Sequence, residues 1–392
     1  MIGNPVLILV LGLFALIKES ECQLGVVYSP FVTANDNPES TKSYTLHDVK
    51  VMLNLIENDN FHHVSTYSVG APDEPFKAGS TRNDCTSVVH TSIAAAEINK
   101  DKKQRVLSVY QGLDIASSST VVKLNSEIEV GFEIAQAANR IYKGTVPALV
   151  LNAGNGFSRL FPMLGSIRNI SERAQATQLQ LGVRLRDCEA VAYILKTNKQ
   201  NKFVLAQVEI FDFVICVKMP TLANYSAGPG AFSEYLKKGF LELENAVKET
   251  EIKTKVMLET GWPSGMNSSN PYETVSPKIL WEMMGQWANK EKRLVFINEA
   301  FDSPSASSSN FTENPFPTHY GLWKHKDTDM DYSQTSYVRK GAKLQTHNTL
   351  ANEDTGSNKP RNGAIAGRQV CGWFNSAVMV LAIVIADYTL SQ

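Results

Sequence analysis

The chain has 392 residues, with 38 Lys and Arg against 39 Asp and Glu and a formal net charge of −1. The two signs are interspersed and no basic stripe or aromatic–basic module is present, which excludes an electrostatic nucleic-acid binder. Once the two ends are set aside, roughly 300 residues remain, long for one β-sandwich and comfortable for one β/α barrel.

In chain order, residues 1–22 come first and read as a secretory signal peptide. Val6 to Ile17 is an apolar run too short to span a bilayer, and small Ser20 and Cys22 precede Gln23 at a cleavage site. Short β-rich runs then recur about every forty residues, with helical patterns between them. The strands expected are Gly25–Tyr28, His63–Tyr67, Arg105–Tyr110, Val146–Asn152, Gln180–Arg184, Phe211–Lys218, Thr254–Glu259 and Arg293–Glu299. Between them, Leu46, Val49, Leu53 and Ile56 share one helical face, as do Ile128, Phe132, Ala135 and Ile141, with Ser126 as a cap. Further helices are expected from Ser171, over Phe232–Val247 and over Ser276–Ala288. Eight such alternations predict an α/β fold, a single-domain (β/α)8 TIM barrel over residues 23–335. The alternative, an open doubly wound sheet, usually announces a Gly-rich phosphate turn after its first strand, and Tyr28-Ser29-Pro30 is not one.

Residues 336–362 turn polar and patternless, as a flexible stalk does. Residues 363–392 carry the order of a GPI-attachment signal: the small triplet Asn362-Gly363-Ala364, a spacer, then the apolar stretch Ala377–Leu390, broken by Asp387. An ordinary short C-terminal anchor is the other reading. The two ends together predict a secreted, cell-surface protein held to the membrane by a lipid. On that route Asn169, Asn224, Asn267 and Asn310 head glycosylation triplets. Of the cysteines outside both signals, Cys85, Cys188 and Cys216 allow at most one bridge and one free thiol. Their spacing suits no metal, and no cofactor motif is present.

The run Leu258-Glu259-Thr260-Gly261-Trp262-Pro263-Ser264-Gly265 carries the chemistry. It sets a carboxylate at the end of an apolar strand, directly before a tight turn with a large aromatic face. In a barrel, reactive side chains stand at the C-terminal ends of strands. A carboxylate there, beside an indole on which a sugar ring stacks, suits nucleophilic attack on a carbohydrate. The same residues also fit a structural carboxylate paired with a barrel lysine and a loop-packing indole.

Glu259-Thr260-Gly261-Trp262-Pro263-Ser264 resembles the nucleophile segment of glycoside hydrolase family 17, the β-1,3-glucanases of plants and fungi. That resemblance implies a retaining mechanism, in which a second carboxyl group stands about 5–5.5 Å from the nucleophile. The family's acid follows the fourth strand in a Gly-Asn-Glu turn; here Gly154 and Asn155 match and Gly156 takes the acid's place. Phe296 to Asp302 resembles the family's segment after the eighth strand. It carries over Glu299, as a stand-in acid or supporting carboxylate, and Asp302, although the following Trp-Lys pair is Ser305-Ala306. Thr318-His319-Tyr320-Gly321 keeps a His-aromatic-Gly run, with Pro317 in place of a Glu. Lys218-Met219-Pro220 stands where the family has a sugar-contacting Tyr, whereas Tyr28 and Tyr67 match its cleft aromatics. The resemblance thus implies a monomeric β-1,3-glucan hydrolase or transglycosylase. Glu259 is its nucleophile, and Tyr28, Tyr67, Asn155, Trp262, Asp302 and His319 lie at the substrate. The alternative is a cell-surface carbohydrate-binding pseudoenzyme, favoured by Gly156 and the other departures.

Overall fold

Eight short strands, each hydrogen-bonded in parallel to the next, close on themselves in chain order to form a barrel. They are β1 (Leu24–Val27), β2 (His63–Ser65), β3 (Ser108–Asp114), β4 (Ala148–Asn152), β5 (Gln180–Leu185), β6 (Phe213–Lys218), β7 (Lys255–Thr260) and β8 (Val295–Ile297). The last pairs back onto the first, Gly25 beside Phe296. The computed structural model describes residues 24–28, 46–67, 69, 86–115, 121–153, 160, 163–186, 188–263, 275–301, 320–325 and 337–339. All of them lie within one unit, Gln23–Leu344. The expected signal peptide and C-terminal anchor fall outside the described residues, as do Asn155, Gly156, Asn267, Asp302, Asn310 and His319.

Among the described residues, eight helices lie between the strands: α1 (Leu46–Asn58), α2 (Thr86–Lys102), α3 (Val121–Ile141), α4 (Leu164–Ala176), α5 (Cys188–Thr197), α6 (Lys202–Glu209), α7 (Leu222–Glu249) and α8 (Val275–Glu291). This is the (β/α)8 barrel expected from the alternation of periods. The α1 stripe behaves as read, with Val49, Leu53 and Ile56 fully buried. Other boundaries move. Ser126 lies inside α3, which begins at Val121, and α4 begins at Leu164, well before Ser171. Tyr337–Arg339, in the segment expected to be stalk, forms an antiparallel pair with Trp323–His325.

Parallel strands covered on both faces are apolar on both, so alternation inside the barrel is read from size and not from polarity. Val27, Tyr110, Ala148, Val150, Phe213, Ile215, Met257, Leu294 and Phe296 fill the interior. The Tyr110 ring meets Phe213 and Phe296 edge-on at 5.8 and 5.3 Å, the geometry aromatic quadrupoles favour. Two glycines make room for the phenylalanines: a Cβ on Gly182 would stand 2.0 Å from the Phe213 ring, and one on Gly25 would stand 2.6 Å from Phe296. Cys188, which opens α5, is bridged to Cys216 on β6 with Cα atoms 5.7 Å apart. That is the single bridge the cysteine count allowed.

Candidate active site

Strand periodicity of two decides which side chains reach the barrel mouth. Met257 faces the interior of β7, so Glu259 does too, one layer nearer the C-terminal end. On β5 the same step carries the inward face from Gly182, which abuts the Phe213 ring, to Arg184. Asn298 follows Phe296 two residues past it on the exit from β8. These three side chains, with Tyr67 just beyond β2, form a single connected polar cluster.

Glu259 is 0% exposed and Arg184 1%. Their Nε and Oε2 atoms approach to 2.8 Å as an ion pair, yet the N–H is not aimed at the oxygen and neither atom completes a hydrogen bond. Oε1 is more fully held. The Tyr67 hydroxyl donates a short hydrogen bond to it, and Asn298 Nδ2 donates at 3.2 Å while also reaching the Tyr67 hydroxyl at 2.8 Å. The rest of the guanidinium is anchored on β2, donating to Ser65 Oγ at 2.5 Å and to the Thr66 carbonyl at 2.9 Å. Its carbon lies 4.2 Å from the Tyr67 ring centroid, a desolvated cation–π contact. Burial first, then the Glu259 charge, pushes the Tyr67 phenol far above its ordinary range, with Arg184 and Arg186 pulling the other way. Tyr67 therefore serves as a proton-bearing donor.

Two close backbone approaches explain why the cluster assembles. A Cβ on Gly112 would stand 2.2 Å from the Thr66 carbonyl oxygen, so only glycine lets the end of β2 lie against β3 and turn Tyr67 inward. Gly261, inside the Glu-Thr-Gly-Trp run, has the same role on the other side. A Cβ there would meet the Asn298 carbonyl oxygen at 2.1 Å. The backbone Asn298 N–H donates to Thr260 O at 2.7 Å, which locks the amide beside Glu259.

The other expected residues are placed differently. Trp262 was expected to offer its face to a sugar; it is 1% exposed, stacked on Tyr225 of α7 at 5.3 Å and tilted against Phe232 at 5.7 Å. The apolar face of α7 claims the ring. Tyr28 is also a core side chain, fully buried, with its hydroxyl donating to Met52 Sδ at 3.5 Å. Glu299 is 6% exposed and its charge acts on Tyr320, whose phenol is raised by burial and by that carboxylate. Asn298, one residue earlier, is the side chain that reaches Glu259. Asn169 is exposed on α4, and Asn224 sits in the first turn of α7, where its side chain completes a capping box with Thr221.

Sequence reasoning missed Arg184 and Asn298. Arg184 left a signal: a lone Arg in the apolar strand Gln180–Leu185, two residues from a glycine, has to find a counter-charge if the strand is buried. Nearby, Glu127 of α3 accepts the Asp114 N–H at 2.6 Å and the Val69 N–H at 3.3 Å, joining the ends of β2 and β3 to the helix. Burial raises its carboxyl to about 7; the two N–H groups oppose the shift and the Asp114 charge adds to it. Among the described residues no group of His, Cys, Asp and Glu is arranged to hold a metal ion.

Compared with protein-family models and with curated protein sequences, the chain matches none. Its fold is shared with solved structures. A glycoside hydrolase family 17 β-1,3-glucanosyltransferase from Rhizomucor miehei aligns over 76% of this chain and 92% of its own, with TM-score 0.52 and 16% identity. An active-site mutant of that enzyme in complex with laminaritriose aligns over 78% and 94%, with TM-score 0.52 and 15% identity. An endo-laminarinase from Formosa Hel1_33_131 aligns over 78% and 84%, with TM-score 0.55 and 13% identity. At these identities the likeness establishes the (β/α)8 barrel fold and nothing finer.

Proposed function

We propose that this chain is a β-1,3-glucan-directed protein built on the retaining glycosidase plan, with Glu259 as its nucleophile. The observation that carries the reading is the placement of Glu259 on the inner wall at the end of β7. Its Oε1 is fixed by Tyr67 and Asn298, and its charge is matched by Arg184. A carboxylate held in this way can attack an anomeric carbon. The glycosidic bond breaks as the ester to Glu259 forms, and the leaving oxygen takes a proton. Water or a second sugar hydroxyl then releases the glycosyl group, by hydrolysis or transglycosylation. The fold shared with a glucanosyltransferase and a laminarinase supports the ligand class. The signals read at the two ends of the sequence support a cell-surface location, and a disulfide between Cys188 and Cys216 is in keeping with an oxidising compartment.

With Gly156 where the resemblance puts the acid, that position supplies no proton to the leaving group, and loss of a general acid lowers turnover by about 10²–10⁴-fold. The test is an assay of the full chain, expressed through the secretory route, on β-1,3-glucan and on an aryl β-glucoside. We expect slow cleavage of the aryl substrate that Glu259→Gln abolishes, and glucan cleavage that rises about 10²–10⁴-fold in Gly156→Glu. A second reading, glucan binding without turnover, is favoured by one observation: both oxygens of Glu259 are engaged within a side chain that is 0% exposed. Laminaritriose binding with no cleavage of either substrate selects it. Neither binding nor cleavage overturns both readings.

A further inference from the structure

Arg184 stands against the one oxygen of Glu259 that neither Tyr67 nor Asn298 hydrogen-bonds. In a retaining glycosidase the sugar ring becomes oxocarbenium-like as it meets the nucleophile, so a positive charge builds beside one carboxylate oxygen. Here Tyr67 and Asn298 take Oε1, which leaves Oε2 for chemistry. Oε2 faces Arg184 Nε at 2.8 Å. The guanidinium is no passing neighbour, because Ser65 and Thr66 hold its other nitrogens and the Tyr67 ring lies against its face. Tyr67 is thereby drawn away from a sugar as well: its hydroxyl serves Glu259 and one ring face serves Arg184.

We propose that Arg184 is an internal counter-ion that stands in for the sugar cation, so that the site discriminates against positively charged transition-state mimics and must displace Arg184 before Glu259 can react. The proposal rests on the glucan reading above and deepens it by assigning what controls access to the nucleophile. Arg184 acts through Glu259 and touches no substrate in this arrangement. A merely structural role would leave the balance between cationic and neutral ligands unchanged, and that balance is the quantity to measure.

The experiment measures binding by calorimetry to the full chain, for laminaritriose and for a glucose-configured iminosugar at a pH where its amine is protonated. The unmodified chain is expected to bind the iminosugar no better than the same compound made neutral by N-acylation. Arg184→Gln keeps a hydrogen-bonding group toward Ser65 and Thr66 but removes the charge. It is expected to bind the iminosugar at least about tenfold more tightly, with laminaritriose affinity changed far less, since the freed carboxylate attracts only the cation. The double variant Arg184→Gln/Glu259→Gln is expected to lose that gain. A clear preference of the unmodified chain for the cation overturns the proposal, and this arm holds even if Arg184→Gln fails to fold. So does a folded Arg184→Gln without the gain. A gain for the iminosugar with no laminaritriose binding by any form supports the role of Arg184 and overturns the glucan reading. No binding of either ligand by any form overturns both.

Discussion

Glu127 accepts two backbone N–H groups in surroundings that disfavour its charge, and the result is a carboxyl that titrates at about 7 in place of 4.5. The folded protein therefore holds this proton more tightly than the unfolded chain. Its contribution to stability is complete below about pH 4.5 and is lost as pH rises through 7. The shift corresponds to about 3 kcal/mol. Glu127→Gln keeps the accepting oxygen and never ionises, so urea unfolding should show the unmodified chain losing stability between pH 5 and pH 8 while the variant holds steady and overtakes it. Parallel curves for the two proteins would refute the assignment. Legibility at this scale was uneven. Glu259 was readable because a strand end, a glycine and an indole surround it in sequence. Arg184 and Asn298 were not, since each matters only through a partner on another strand.

Among the elements, α7 is the most irregular. Gly228 interrupts it with φ 85° and ψ 166°, and Pro229 follows, so two helical segments meet at a kink. That backbone region is essentially confined to glycine, and a residue before proline is in any case pushed out of the helical basin. Open space surrounds the position, so an added Cβ meets no atom. Gly228→Ala should therefore cost about 1–3 kcal/mol through backbone strain alone. Urea midpoints test this, and an unchanged midpoint would mean that the kink relaxes freely. The sequence reading found the second segment of α7 from its periodicity and missed the first, which a glycine and a proline conceal. It also missed α2, whose apolar and small residues lack a clean stripe, and the short α5 and α6. Strands fared better, because a run of β-branched residues buried on both faces needs no contrast to be seen.

For the molecule as a whole, closure of the barrel depends on matching small residues to large ones across the interior. Gly182 faces Phe213 so closely that Gly182→Ala should force the ring out of its edge-on contact with Tyr110 and destabilise the fold by about 1–3 kcal/mol. Unfolding midpoints measure it, with circular dichroism confirming that secondary structure is kept; equal midpoints would show that the ring has room to move. The eightfold alternation was legible in sequence since each unit repeats the same change of period. Which residues meet inside was not, as that depends on the stagger of strands far apart in the chain. The guanidinium of Arg184 ties β5 to β2 and β7. This couples positions 184 and 259 energetically. Replacing either one alone strands its partner's charge in a dry interior, at a cost of about 3–5 kcal/mol. Substitutions at the two positions are therefore expected to be strongly non-additive. The double variant Arg184→Gln/Glu259→Gln, which strands neither charge, should unfold at a higher urea concentration than either single variant.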